Sequence, residues 1–123
     1  MDGDALIPAA CQGPQSAGGE LQFRRLLDTL PVAAYICDRD GLITYFNEAA
    51  AIAWGREPRL NDPSDRFCGS FRMFSTVDGS PVPHDDCWMA RALRDGESYS
   101  RREIIIERAD GTRMTALAHA NPI

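Results

Sequence analysis

The stretch Asp38-Arg39-Asp40-Gly41-Leu42-Ile43-Thr44-Tyr45-Phe46-Asn47 carries a turn, a strand and a helix start within one short segment. Asp40-Gly41 signals the turn, because glycine reaches positive φ without a Cβ clash. Apolar runs rich in β-branched and aromatic residues flank it on both sides and suit a pleated surface. The pattern predicts a β-hairpin, with an incoming strand over 32–37 and an outgoing strand over 42–46. Asn47 ends the second strand. Its side-chain oxygen can accept from the free N–H groups that open a helix, and Glu48 suits the positive end of that helix. The helix is predicted over 48–54 and closes at Gly55.

Toward the N-terminus, Phe23, Leu26, Leu27 and Leu30 recur at helical spacing, with Arg24, Arg25 and Asp28 on the other side. An amphipathic helix over 20–30 follows, and Pro31 stops it. Residues 1–19 are rich in Gly, Pro, Ala, Ser and Gln, hold one short apolar cluster and show no sustained period. A disordered N-terminal tail is expected there, ahead of a domain spanning 20–123.

Toward the C-terminus, 56–66 is polar and marked by Pro58, Asn61, Asp62 and Pro63, the composition of a connecting segment. Phe67, Phe71 and Phe74 make 67–74 too apolar for water, so this loop should fold back onto the core. Pro83-His84-Asp85-Asp86 opens a helix that ends at Gly96, with Cys87, Met89 or Ala90, and Leu93 at core spacing. Two acids at a helix start are explained by its dipole. Residues 99–108 alternate around Ile104 and Ile106, Ala109-Asp110-Gly111-Thr112 turns the chain, and 113–121 forms a last strand. The small side chains of Thr115, Ala116, Ala118 and Ala120 leave room there for a close helix or a ligand. This order predicts an α+β fold, an antiparallel sheet with helices packed on one face.

A chain of 123 residues, 44% hydrophobic, is the size of one domain. A net charge of −5, with arginines interleaved among acids, argues against a nucleic-acid face. No apolar run is long enough to span a bilayer, and a cytoplasmic protein is expected. Cys11, Cys37, Cys68 and Cys87 show neither a CxxC pair nor metal-ligand spacing, which suits free thiols in a reducing compartment.

The lead helix, Leu30-Pro31-Val32, the hairpin with its strand-ending Asn47, and the 103–111 segment with its final hairpin strand resemble the PAS domain family over about 21–121. The Asp78 to Cys87 segment is similar to sensor modules of bacterial histidine kinases and related signalling proteins. The resemblance implies a five-stranded sheet whose fifth strand lies centrally, between the first and the fourth. This chain ends at Pro122-Ile123, before any such strand. The domain is therefore expected to be truncated or incomplete at its C-terminal end, or to have the gap filled by rearrangement or by a neighbouring chain. An open gap exposes ladder groups on two strands, so a homodimer through the 20–30 helix or through exposed strand edges is expected.

The resemblance further implies a sensory and dimerisation domain of a signal-transduction protein such as a histidine kinase. Such a domain is catalytically silent and relays ligand or partner binding to an effector. The alternative is a protein–protein interaction module without a ligand. No nucleophile motif accompanies His84 or His119. Haem ligation through His84 is disfavoured by its place at the very start of its helix, and covalent flavin by the absence of the reactive-cysteine motif of the photosensing relatives. A small-molecule cleft between helices and sheet would be lined by Tyr35, Cys37, Ile52, Trp54, Phe67, Phe71, Met89, Leu93, Ile104, Met114 and Leu117. The same residues also suit plain core packing.

Overall fold

The computed structural model describes residues 22, 25–29 and 31–121, and the backbone of 5–10. In chain order the elements are β1 (Ala5–Ala10), α1 (25–29), β2 (Tyr35–Cys37), β3 (Ile43–Phe46), α2 (Glu48–Trp54), β4 (Arg72–Phe74), α3 (Trp88–Asp95), β5 (Tyr99–Glu107) and β6 (Arg113–Asn121). Among the described residues the strands form a sheet in the order β3-β2-β1-β6-β5-β4. The β2–β3 ladder and the β4–β5–β6 ladder are each antiparallel, as expected of this α+β fold.

The hairpin forms because Asp38 holds its turn: Oδ1 accepts from the N–H groups of Asp40 and Leu42, at 2.9 and 3.0 Å. Gly41 sits at φ 84°, and a Cβ there would lie 2.2 Å from the Phe67 ring, so only glycine fits. The same aspartate-to-i+2 turn recurs, with Ser or Thr as the donor residue, at Asp62–Ser64, Asp78–Ser80 and Asp110–Thr112. The first strand is shorter than predicted. Val32 and Ala34 bond the Asn47 side chain, through the Val32 carbonyl and the Ala34 N–H, and ladder pairing begins only at Tyr35.

Two predicted boundaries move. The helix expected from Pro83 begins at Trp88, because His84–Asp86 form a separate 3₁₀ turn and Cys87 is extended at ψ 172°. Asp86 instead bonds Arg91 at 3.1 Å. Within the segment read as a loop, Arg72–Phe74 add a strand to the outer edge of β5, where the long strand offers free ladder groups.

The larger correction concerns the N-terminus. Residues 5–10, expected within a disordered tail, form β1, and β1 occupies the central place between β2 and β6 that the sequence left open. Two strands with unsatisfied ladder groups supply a reason to order a short apolar segment that periodicity could not detect. The gap is thus filled by rearrangement, with β1 parallel to both neighbours. The rest of the expected tail lies outside the described residues.

Side-chain alternation along β2 divides the interior. Ala33, Tyr35 and Cys37 face a core with Ala50, Ala53 and Trp54 of α2, Met89, Ala90 and Ala92 of α3, and Ile104, Ile106, Ala116 and Ala120 of the sheet. Ala34 and Ile36 face the other way, where Leu27 of α1 and Tyr45 cover them. Thus α2 and α3 share one face, and α1 lies on the opposite face.

Candidate functional site

Between α2, α3 and the sheet lies an interior cleft, lined by Tyr35, Trp54, Cys68, Ser70, Met73, Cys87, Trp88, Met89, Ile104, Ile106, Ala118 and Ala120. Its open space is about 40 Å³, room for a few waters, whereas ligand pockets run to about 300 Å³ or more. Trp54 does most of the filling. It is 1% exposed, meets Tyr35 edge-on at 5.0 Å and Phe46 at 6.0 Å, and leaves no space for a Cβ on Gly69, which would approach its ring to 2.4 Å.

The polar groups at the cleft bond one another. Tyr35 Oη donates to the Phe67 carbonyl at 2.7 Å, and Cys68 Sγ lies 3.0 Å from Ser70 Oγ. His84 Nε2 lies 2.7 Å from the Ser70 carbonyl and so carries the proton it donates. Burial pushes the Cys87 thiol up to about 12, and neighbouring Cys68 adds to the rise. Burial also raises Cys68, against lowering hydrogen bonds from Ser70. These thiols are protonated and poor nucleophiles at neutral pH. Iodoacetamide at pH 8 should therefore spare Cys68 and Cys87 in the folded protein and modify both in urea, as read by peptide mass mapping. Labelling of the native protein at Cys87 would show the cleft to be open.

On the far side of Cys68 and Ser70 an open groove of about 550 Å³ runs past Arg56, Asp65, Phe67, Phe71 and His84. Two of its charges pair with each other: Arg56 Nη2 contacts both oxygens of Asp65 at 3.1 and 3.2 Å, and Nη1 donates to the Gly69 carbonyl at 2.8 Å.

Of the residues expected to line a cleft, Tyr35, Trp54, Met89 and Ile104 do so. Cys37 is fully buried in the same core, and Leu93 and Met114 pack against it, outside the cleft wall. Phe67 and Phe71 line the outer groove instead: Phe67 also packs against the core, and Phe71 is 41% exposed, while Cys68 and Ser70 between them are buried and reach the cleft. Ile52 is 65% exposed: the buried positions of α2 are Ala50, Ala53 and Trp54, and Ile52 falls on the other side of the helix. Leu117 alternates with the core-facing Ala116 and so leaves the cleft. Ile106, Ala118 and Ala120 were missed as lining residues, although period two from Ile104 and from Ala116 points to them. Ser70 gave no sequence signal.

Asn47 proves more than the helix cap it was expected to be. Its side chain is 3% exposed and makes four hydrogen bonds. Oδ1 accepts from Ala50 N at 2.9 Å, capping α2, and from Ala34 N at 3.0 Å. Nδ2 donates to the Leu27 carbonyl at 3.1 Å and to the Val32 carbonyl at 2.8 Å. One amide thus joins α1, the entry to β2, and α2. Tyr45 Oη adds a second tie by donating to Asp28 of α1.

Among the described residues, no group of three His, Cys, Asp or Glu side chains could hold a metal ion, and no helix is long and apolar enough to cross a membrane. A family model described as PAS domain matches residues 21–94, more than half of the chain. No curated protein matches. No solved structure matches.

Proposed function

The chain belongs to the PAS domain family, whose members are sensory and interaction modules, and from that premise we propose that it is a regulatory module that reads a protein partner. The effector it would inform is part of a signalling protein, with a histidine kinase as the candidate, and the setting a cytoplasm that keeps its thiols reduced. The observation that carries this reading over a cofactor-holding sensor is the cleft, whose open space of about 40 Å³ is occupied down to water-sized gaps by Trp54 and Met89. An absorption spectrum and a native mass spectrum of the purified protein test it. The expected result is no band above the tryptophan absorption and a bare chain mass. A visible chromophore or a retained small molecule would overturn it.

The route to the effector is α1. Its contact residue Leu27 rests on Ile36 and Ala34, the reverse side of the strand whose Tyr35 faces the cleft. A shift on either face of β2 therefore biases the packing of the other. Leu26 and Leu27, adjacent in sequence, separate the two roles of the helix, since Leu26 is 57% exposed and Leu27 only 8%. Leu26→Asp should leave the unfolding free energy almost unchanged, within about 0.5 kcal/mol, and weaken self-association or partner binding. Leu27→Asp should detach α1, at a cost of about 2 kcal/mol or more for burying a charge. Sedimentation alongside urea unfolding reads both. Equal destabilisation by the two variants would make the helix simple core.

A further inference from the structure

We propose that β1 is an exchangeable strand, and that its alternative site is the same position in a second copy of this chain. The two antiparallel ladders of the sheet are joined only through β1 among the described residues, and β1 runs parallel to both of its neighbours. Its hold is uneven. It registers with β6 from Ala5↔Ala116 to Ala10↔Asn121, yet with β2 only at Ala9↔Tyr35 and Ala10↔Ile36. Pro8, in the middle of the strand, has no N–H to give to either neighbour, and proline is disfavoured in a central strand for that reason.

The edge beneath it is long and weakly defended. β6 spans Arg113–Asn121, and from Met114 to Ala120 it carries no Asp, Glu, Lys or Arg. Such an edge templates pairing with another strand whenever its partner leaves. The connection allows that partner to come from a neighbour. Ala10 lies in register with Ile36, and Ile36 is covered by Leu27 of α1, so the ends that the linker joins are close together. The chain between β1 and the helical residue 22, residues 11–21, includes Gly13, Pro14, Gly18 and Gly19 and can span about 36 Å at full extension. This length serves a return to the same chain and a crossing to another equally well. Reciprocal exchange preserves every strand pair, so the balance between closed monomer and exchanged dimer is set by the concentration of chains against the effective concentration of the tethered strand, on the order of millimolar.

The test uses the register pair Ile7↔Ala118 in full-length chains that also carry Cys11→Ser. A chain with both Ile7→Cys and Ala118→Cys, folded when dilute and oxidised with diamide, should link within itself. Separate chains with Ile7→Cys and with Ala118→Cys are then unfolded, mixed, refolded and oxidised. At about 1 mM chain the mixture should yield a dimer linked through the two introduced thiols, mapped by mass spectrometry, and several-fold less of it at about 10 μM. A double variant that links while the mixture never does would overturn the exchange. A folded double variant that fails to link would overturn the placing of β1 beside β6, and the proposal with it.

Discussion

Replacing Asn47 by alanine should lower the stability of the domain by about 3–5 kcal/mol, a large part of what a domain of this size possesses. Three of the four side-chain hydrogen bonds of Asn47 are buried and the one to Val32 is part-buried, so truncation leaves the N–H groups of Ala34 and Ala50 and the carbonyls of Leu27 and Val32 without this partner. Each buried orphan costs about 1–3 kcal/mol, and the sum is smaller than four such losses because the Ala50 N–H also bonds the Asn47 carbonyl at 3.1 Å. Urea unfolding followed by tryptophan fluorescence measures it. Asn47→Asp divides the effect: the acceptor side remains for Ala34 and Ala50, while the donations to Leu27 and Val32 are lost and a carboxylate faces two carbonyls. That variant should keep α2 and release α1, seen as rapid amide exchange over 25–29 with continued protection over 48–54. Uniform loss of protection would mean that Asn47 is a general core residue rather than the joint between sheet and lead helix.

The hub at Asn47 shows what the sequence disclosed and what it hid. A strand-ending asparagine before a helix is legible as a cap, since capping needs only residues a few positions apart. Its bonds to Leu27 and Ala34 span 20 and 13 positions, and nothing local encodes them. The same distinction runs through the rest of the fold. The hairpins around Gly41 and Gly111 rest on short-range turn chemistry and appear where expected. The strand at 5–10 answers to open ladders contributed by β2 and β6, and its own six residues include a proline that speaks against a central strand. At the cleft, aromatic and methionine residues were recognisable as interior. Which of them meet the open space was decided by long-range packing, as in the face of α2 that Trp54, and not Ile52, turns inward.

Trp54→Ala is expected to destabilise the protein by about 3–5 kcal/mol and, in doing so, to turn the filled cleft into a ligand site. The indole is 1% exposed, in edge contact with Tyr35 and Phe46, and backed by Gly69. Its neighbours are held by their own bonds, Tyr35 through the Phe67 carbonyl and Ser70 through His84, and cannot collapse fully into the space it leaves. The cavity so formed is apolar and joins the existing 40 Å³, which suits a small planar aromatic molecule. Free indole at ten times its dissociation constant should then restore about 1.4 kcal/mol to the variant, read as a rise in unfolding temperature, and should leave the unsubstituted protein unmoved. The contrast bears directly on what the domain senses. If a single side chain closes the cleft, the unsubstituted protein has no room there for a ligand of this size, which supports the proposed reading of a protein partner. An equal indole response in both proteins would show that Trp54 yields its place readily, and the ligand-reading sensor would then be the better account.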